Sequence, residues 1–441
     1  MSGRQPYAIL KLHERYGPVV RIAPNELSFN RAQSWQDIYT VRHGALPFIK
    51  SEFYEGGNFA AEALSIVSER DPERHARMRR YLSNAFSDRS LKEQEPLIQG
   101  VVDELIAKLA AFDAQGTDMV MWFNLATFDI IGSLAFGETF GGVASGTQHP
   151  WIATVIKSLS KGALGDCAKR FPALAKVVMF VLAKPIDKLL AETRAHERNS
   201  KELVQRRIAR KTERKDFMTN ILEARATDDI SDTQIAAHAS DFVIAGSETT
   251  ATALACITYY LLRNPAITES LRAEIDSAFN SYDSINASST AGLRYLNAVC
   301  QEGMRMYPPL PFALPRVVPP GGAMVDGHWL PAGIIVSTAP FAASMDSRNF
   351  HEPWTFKPER WLDAKLREKD KQDASQPFSL GPRGCMGRSM GWMELRIILA
   401  KLHWTYDLSL VNQDLDWHRD SRMHTLWKKP ELRVALVKRA R

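Results

Sequence analysis

The stretch Phe378-Ser379-Leu380-Gly381-Pro382-Arg383-Gly384-Cys385-Met386-Gly387 is followed by a helix-like run from Met390 to Leu402. One cysteine lies among three glycines, a proline and an arginine. Glycines at 381, 384 and 387 admit positive φ and close backbone approach, so the loop can wrap a flat ligand at short distance. Its backbone N–H groups can point at the sulfur, and the helix beginning just after it adds the positive end of a dipole. Both favour a thiolate over a thiol, and the thiolate is the form that binds metal. The plain alternative is a buried structural cysteine beside a glycine turn. The complete Phe-x-x-Gly-x-Arg-x-Cys-x-Gly spacing speaks against it.

Around this loop the chain reads as a large soluble protein. Its 441 residues carry no Gly/Ser tract, repeat or charge block that would mark a linker, so the sequence predicts a single domain over 1–441. Hydrophobic residues at 45% and charged ones at 24% are ordinary for a globular fold. The net charge of +6 is spread along the chain rather than gathered into a basic patch with interleaved aromatics, which argues against nucleic-acid binding. It suits docking to an acidic protein or an anionic membrane surface. Cys167, Cys256, Cys300 and Cys385 form no Cys-x-x-Cys pair, which excludes a zinc module and a disulfide framework and points to a reducing compartment. No signal peptide opens the sequence. The nearly uncharged run from Phe242 to Leu262 is long enough to span a bilayer. Glu248 near its middle would cost about 2.5–3.5 kcal/mol there, so the run reads as a buried core helix.

The periodicity predicts helices over 6–16, 31–41, 71–86, 91–113, 118–136, 149–165, from Pro185 to about Thr212, and over 232–263, 266–280, 293–307 and 390–402. Short strands are expected mainly about 17–30, 313–338 and 406–437, and an irregular stretch over Phe341 to Asn349. The apolar run from Pro172 to Pro185 has the length of an interfacial or core segment. Within the 71–86 helix, His75 and Arg79 are four apart and share a face, where an exposed basic face is the plain reading. In the 232–263 helix, Gly246 costs roughly 1 kcal/mol against Ala, so something must need its missing side chain. Thr249 beside Glu248 can bond back to the carbonyl one turn earlier and loosen the helix there. Glu302 and Arg305 lie three apart on one helix face, a pairing that means little alone. The proline-rich Pro308 to Arg316 cannot be helical and should run extended.

Taken in order, these segments resemble the cytochrome P450 family. The matching elements are His75/Arg79, Ala245-Gly246-Ser247-Glu248-Thr249-Thr250, Glu302/Arg305, Pro358-Glu359-Arg360-Trp361 and the Phe378–Gly387 loop. The string Gly-Pro-Val-Val-Arg-Ile-Ala-Pro-Asn-Glu-Leu-Ser-Phe, from Gly17, is similar to the early β region of fungal microsomal members, which carry a membrane anchor upstream. The resemblance implies a mainly α fold, a triangular helical domain with a smaller β-rich region, and haem b between the central helix and the cysteine loop. It implies Cys385 as the iron ligand, and such a thiolate favours O–O cleavage. Ala245, Gly246, Phe378 and Gly387 would lie against the haem. His75, Arg79, Arg316 and Arg383 would bind its propionates through charge-assisted hydrogen bonds. Thr249 would give a proton at the distal side with Glu248 as the relay behind it. Glu302, Arg305 and Arg360 would form a buried structural ion triad.

The expected activity is monooxygenation of a hydrophobic small molecule, in fungal secondary metabolism. Electrons would come from NADPH through NADPH-cytochrome P450 reductase, with cytochrome b5 as a second donor, because no dinucleotide fingerprint appears here. The family context places the anchored form on the cytosolic face of the endoplasmic reticulum membrane, with this chain reading as a soluble form without the anchor. Phe48, Phe53, Phe242, Leu310, Phe312 and Leu426, with Ala245, are the candidate pocket walls, since such pockets are mostly apolar. Two rivals stand beside this reading. One is a haem-thiolate enzyme that couples, closes rings, desaturates or dehydrates without inserting oxygen. The other is a helical binding protein with an inert Cys385.

Overall fold

Asp232–Arg263 is one uninterrupted helix, with an acid in its first turn and a base in its last to complement the macrodipole. Its apolar sequence is buried over most of its length, as expected of a helix that other elements enclose. This central helix belongs to a computed structural model that describes residues 2–56, 63–112, 115–151, 183–210, 216–228 and 230–440. The fold is mainly α. Contacts divide it into two compact units, one of Met1–Phe48, Glu95–Thr127 and Glu248–Arg441, the other of Ile49–Gln94 and Phe128–Ser247.

The first unit holds most of the β structure. Val19–Ala23 and Glu26–Phe29 form an antiparallel hairpin. Glu26–Phe29 then pairs in parallel with Ile335–Thr338, which pairs antiparallel with Arg316–Val317. One face of these strands packs on Phe29, Trp35, Ile38, Tyr39, Phe48, Val325 and Val336. Tyr39 pins that core to the proline-rich stretch, donating its hydroxyl to the Leu314 carbonyl at 2.9 Å while accepting from the Thr338 N–H at 3.1 Å. The tail adds a ladder in which Arg433–Lys438 lies antiparallel to Tyr406–Leu410, and a hairpin of Arg422–His424 with Leu426–Lys428.

The second unit is helical. Pro72–Ser83 starts on an Asp71 cap that accepts from the Arg74 N–H at 2.8 Å, with proline in the first turn where its missing N–H is harmless. A buried ion pair, Arg207 Nη2 to Asp216 Oδ1 at 2.8 Å, ties the end of Ala183–Ala209 to the start of Phe217–Asp228.

Sequence and structure part in several places. Pro340–Met345 is a short buried helix rather than an irregular stretch, because Pro340 presets the first turn and small alanines follow. Phe217–Asp228 and Ala287–Ala291 had no counterpart in the sequence reading; the latter is a single turn held by a capping box of Asn286 with Ser289. The 71–86 helix ends at Ser83 and tightens into a 3₁₀ turn over Asn84–Phe86. Cys167, most of the predicted 149–165 helix and most of the Pro172 to Pro185 run lie outside the described residues. Among those described, Met119–Phe136 is the helix long and apolar enough to cross a membrane, and 83% of that window is buried.

Candidate active site

The cysteine loop is built by its backbone. Gly381, at φ +67°, is one glycine whose freedom is required: a Cβ there would sit 2.1 Å from the Tyr39 carbonyl oxygen. That contact presses the loop onto the aromatic core of the first unit. Gly384 N–H donates to Gly381 O at 3.0 Å and Cys385 N–H to Phe378 O at 2.9 Å, which closes the turn. Gly387 has φ −79° and caps the helix Arg388–Thr405, so positive φ is needed at only the first of the three glycines. Cys385 is exposed, whereas Cys256 and Cys300 are fully buried. Burial pushes the Cys300 thiol up to about 12 and the Cys256 thiol well above its usual range, so neither is a thiolate at neutral pH.

The central helix carries a second opening. From Ile235 to Leu261 every residue is buried except Ala245, Gly246 and Thr249, which share one face. A Cβ on Gly246 would meet Ile131 Cδ1 at 2.8 Å, so the missing side chain also leaves room for Ile131. Ser247 bonds back to the Val243 carbonyl one turn earlier.

Glu248 is 6% exposed. It accepts from Lys429 Nζ at 2.6 Å, and the same ammonium donates to Thr252 Oγ1 at 3.1 Å. His75 is buried and Arg79 half-buried, while Arg74, Arg77 and Arg80 on the same helix are exposed. Arg316 is 3% exposed; its Nη1 donates to the Leu314 and Pro315 carbonyls at 3.3 and 3.2 Å, and its guanidinium lies 5.1 Å from the Tyr39 ring centroid. Arg383 is half-buried in the cysteine loop.

Glu302, Arg305 and Arg360 come together, all fully buried. Arg305 Nε and Nη2 reach the two Glu302 oxygens at 2.8 Å each, and Arg360 Nε reaches Oε1 at 2.9 Å. Two further donors, the Lys357 N–H and the Trp361 indole, complete the carboxylate's shell at 3.0 and 2.9 Å. Asp370 is a fourth charged member that sequence spacing could not reveal, accepting from Arg360 Nη1 at 2.6 Å. Burial alone would raise the Glu302 carboxyl, but Arg305 and Arg360 outweigh it and hold it below the ordinary range.

The family description "Cytochrome P450" matches residues 2–436. The chain belongs to the cytochrome P450 family. Among its relatives, the cytochrome P450 monooxygenase ORF11 of Penicillium roqueforti is 52% identical over 94% of this chain and 86% of its own length. The monooxygenase BipB of Cochliobolus sativus is 42% identical over 98% of this chain and 87% of its own. The monooxygenase aclL of Aspergillus oryzae is 39% identical over 98% and 88%. The crystal structure of the cytochrome P450DA heme domain shares the fold, with TM-score 0.83 at 19% identity, covering 99% of this chain and 93% of that one. The chain is a P450 monooxygenase, and its cofactor is haem b on a cysteine thiolate.

The residues present fit a P450 haem. An exposed sulfur sits in a turn just ahead of a helix, a buried helix opens along one small-residue face, and Arg316 supplies a buried cation. The candidate pocket residues are less uniform. Leu310, Phe312, Leu426 and Phe53 are half-buried. Phe48 lies in the core of the first unit, and Phe242 packs on Phe86 and Phe217 with ring centroids 5.5 and 5.9 Å away.

One buried acid had no signal in the P450 motifs. Glu394, on the helix after Cys385, is fully buried, and burial pushes its carboxyl up to about 8 against a smaller opposing effect of the Thr250 hydroxyl. Among the described residues, no hydrogen bond of normal geometry reaches either oxygen. A folded-state value raised from about 4.5 to about 8 means the folded state keeps its proton longer than the unfolded chain. The stability linked to Glu394 is therefore full below the lower value and lost as pH rises toward 8, by about 1.4 kcal/mol per unit. Urea midpoints measured from pH 5 to 9 should fall less steeply in Glu394→Gln than in the parent. Parallel slopes would contradict this.

Proposed function

We propose that Cys385 is the thiolate ligand and that the whole chain acts as one haem-thiolate domain, with His75, Arg79, Arg316 and Arg383 on the propionates. Thiolate-ligated haem, when bound, supplies the activation of dioxygen for insertion into a C–H bond. The chain's own residues supply the rest. Ala245 and Gly246 offer a flat surface with little side chain, so a planar group and a small molecule can approach the central helix closely. Thr249 presents a hydroxyl on that same face, able to donate a proton while accepting one from behind. Glu248, one residue before it, is the carboxylate that resupplies that proton. The observation that carries this reading is the opening of an otherwise buried helix at Ala245, Gly246 and Thr249 alone.

The substrate class is a hydrophobic secondary metabolite, a reading supported by the fungal monooxygenases it resembles over nearly its whole length. NADPH-cytochrome P450 reductase is the electron donor, with cytochrome b5 as an auxiliary and the endoplasmic reticulum membrane as the setting. Leu310, Phe312, Leu426 and Phe53 are the proposed apolar contacts. The retained Glu248–Thr249 pair favours oxygen insertion over coupling, ring closure or dehydration.

The test is a panel of hydrophobic metabolites screened for substrate-induced spectral shifts, followed by turnover with NADPH and the reductase. Oxygenated product is the expected result; haem-loaded protein that takes electrons yet forms only coupled or dehydrated products would overturn it. A separate expectation concerns haem retention. Arg79→Ala should release haem faster during gel filtration, with little change in the sulfur-ligand spectrum, because one charge-assisted hydrogen bond is lost. Equal retention by variant and parent would count against the propionate assignment.

A further inference from the structure

The C-terminal tail delivers a lysine to the acid of the proton path. Lys429 is two residues beyond Trp427, which is 3% exposed, stacks on Tyr307 with centroids 4.2 Å apart and donates its indole N–H to the Pro308 carbonyl at 2.8 Å. Three residues past Lys429, Leu432 is fully buried and its N–H donates to Asp118 Oδ1 at 3.1 Å. Pro430 stiffens the span between these anchors. The ammonium is thus set by fixed backbone on both sides.

Its side chain is 3% exposed and that of Glu248 is 8% exposed. A buried ammonium is costly without an anionic partner, and Glu248 is the acid that pairs with it. Nζ also reaches Thr252, one turn along the same helix face, so the lysine grips two neighbouring positions at once. A staple of tail to helix would be served as well or better by two apolar side chains, since a buried ion pair adds little net stability. Fixing the carboxylate that precedes Thr249 in the chain serves another end.

We propose that Lys429 is the positioning residue of proton delivery: it fixes the Glu248 carboxylate by engaging Oε2 and leaves Oε1 to carry the proton toward Thr249. Lys429 keeps its own protons throughout. Glu248 takes one proton from the solvent side, gives it up toward the Thr249 hydroxyl, and returns to the carboxylate that the ammonium holds. This rests on the reading of Glu248 as the relay.

Haem-loaded parent, Lys429→Met, Lys429→Arg and Glu248→Gln are compared. Infrared difference spectra against Glu248→Gln isolate the Glu248 band. Parent and Lys429→Arg should show the same Glu248 band, and Lys429→Met a displaced one, because the contact to Oε2 is lost. With reductase, NADPH and the compound giving the largest spectral shift in the panel, Lys429→Met should lower product formed per NADPH by about tenfold or more and raise the solvent deuterium isotope effect, and Lys429→Arg should recover most of the loss. Should Lys429→Met fold poorly, the double variant with Glu248→Gln removes both charges and should match Glu248→Gln alone. A Glu248 band unchanged in Lys429→Met, or an unchanged product ratio there while Glu248→Gln falls, overturns the role of Lys429. An unchanged ratio in Glu248→Gln overturns the relay, and this proposal with it.

Discussion

Thr249→Ala should fold, bind haem and bind substrate as the parent does, yet divert electrons into hydrogen peroxide instead of product. The hydroxyl is the group on the open face of the central helix that can donate a proton and be resupplied, and a methyl group can do neither. Proton transfers of this kind are typically worth about 10²–10⁴-fold in rate. The readout is product formed per NADPH consumed with a reductase supplied. Thr249→Ser, which keeps the hydroxyl, should retain most of the ratio. An unchanged ratio in Thr249→Ala would sink the relay and move the assignment toward proton supply by the substrate itself.

Glu302→Ala should be the most damaging single change to stability. The carboxylate accepts from Arg305, Arg360, the Lys357 N–H and the Trp361 indole in a site that excludes water. Its removal leaves Arg305 buried without a carboxylate and Arg360 with Asp370 alone, and breaking a buried charge network in this way costs about 3–5 kcal/mol. The pH dependence should change as well. Glu302's carboxyl is held below its ordinary value, so its contribution is present above the unfolded value and lost as pH falls through the folded one. Glu302→Ala should lack that part of the acid-side decline. The check is urea unfolding at neutral and acid pH, and a neutral-pH loss below about 1 kcal/mol would show that the network is not closed in solution.

Much of this was legible in the sequence because local pattern dictates it. Periodicity bounded the central helix at Asp232 and Arg263, and the structure ends it at those residues. The 19–29 hairpin followed from alternation around Ala-Pro-Asn. What escaped depended on distance along the chain. Lys429 lies 181 residues from Glu248, and the second of two lysines before a proline carries no mark of its destination. Asp370 joins Arg360 across a turn whose path depends on Asn349 and His351. Gly246 was noticed for a sound reason, its cost within a helix, but its neighbour Ile131 is on another helix, which no local window contains. Pro340–Met345 escaped because six residues are too few to show a helical period.

The central claim is that Cys385 is the sulfur on the haem iron. The most direct measurement is the difference spectrum of the reduced protein with carbon monoxide, for the parent and for alanine variants of Cys256, Cys300 and Cys385. The parent and the Cys256 and Cys300 variants should show the red-shifted Soret band of thiolate ligation, and Cys385→Ala should lose it. A Cys385→Ala protein that kept that band would contradict the account.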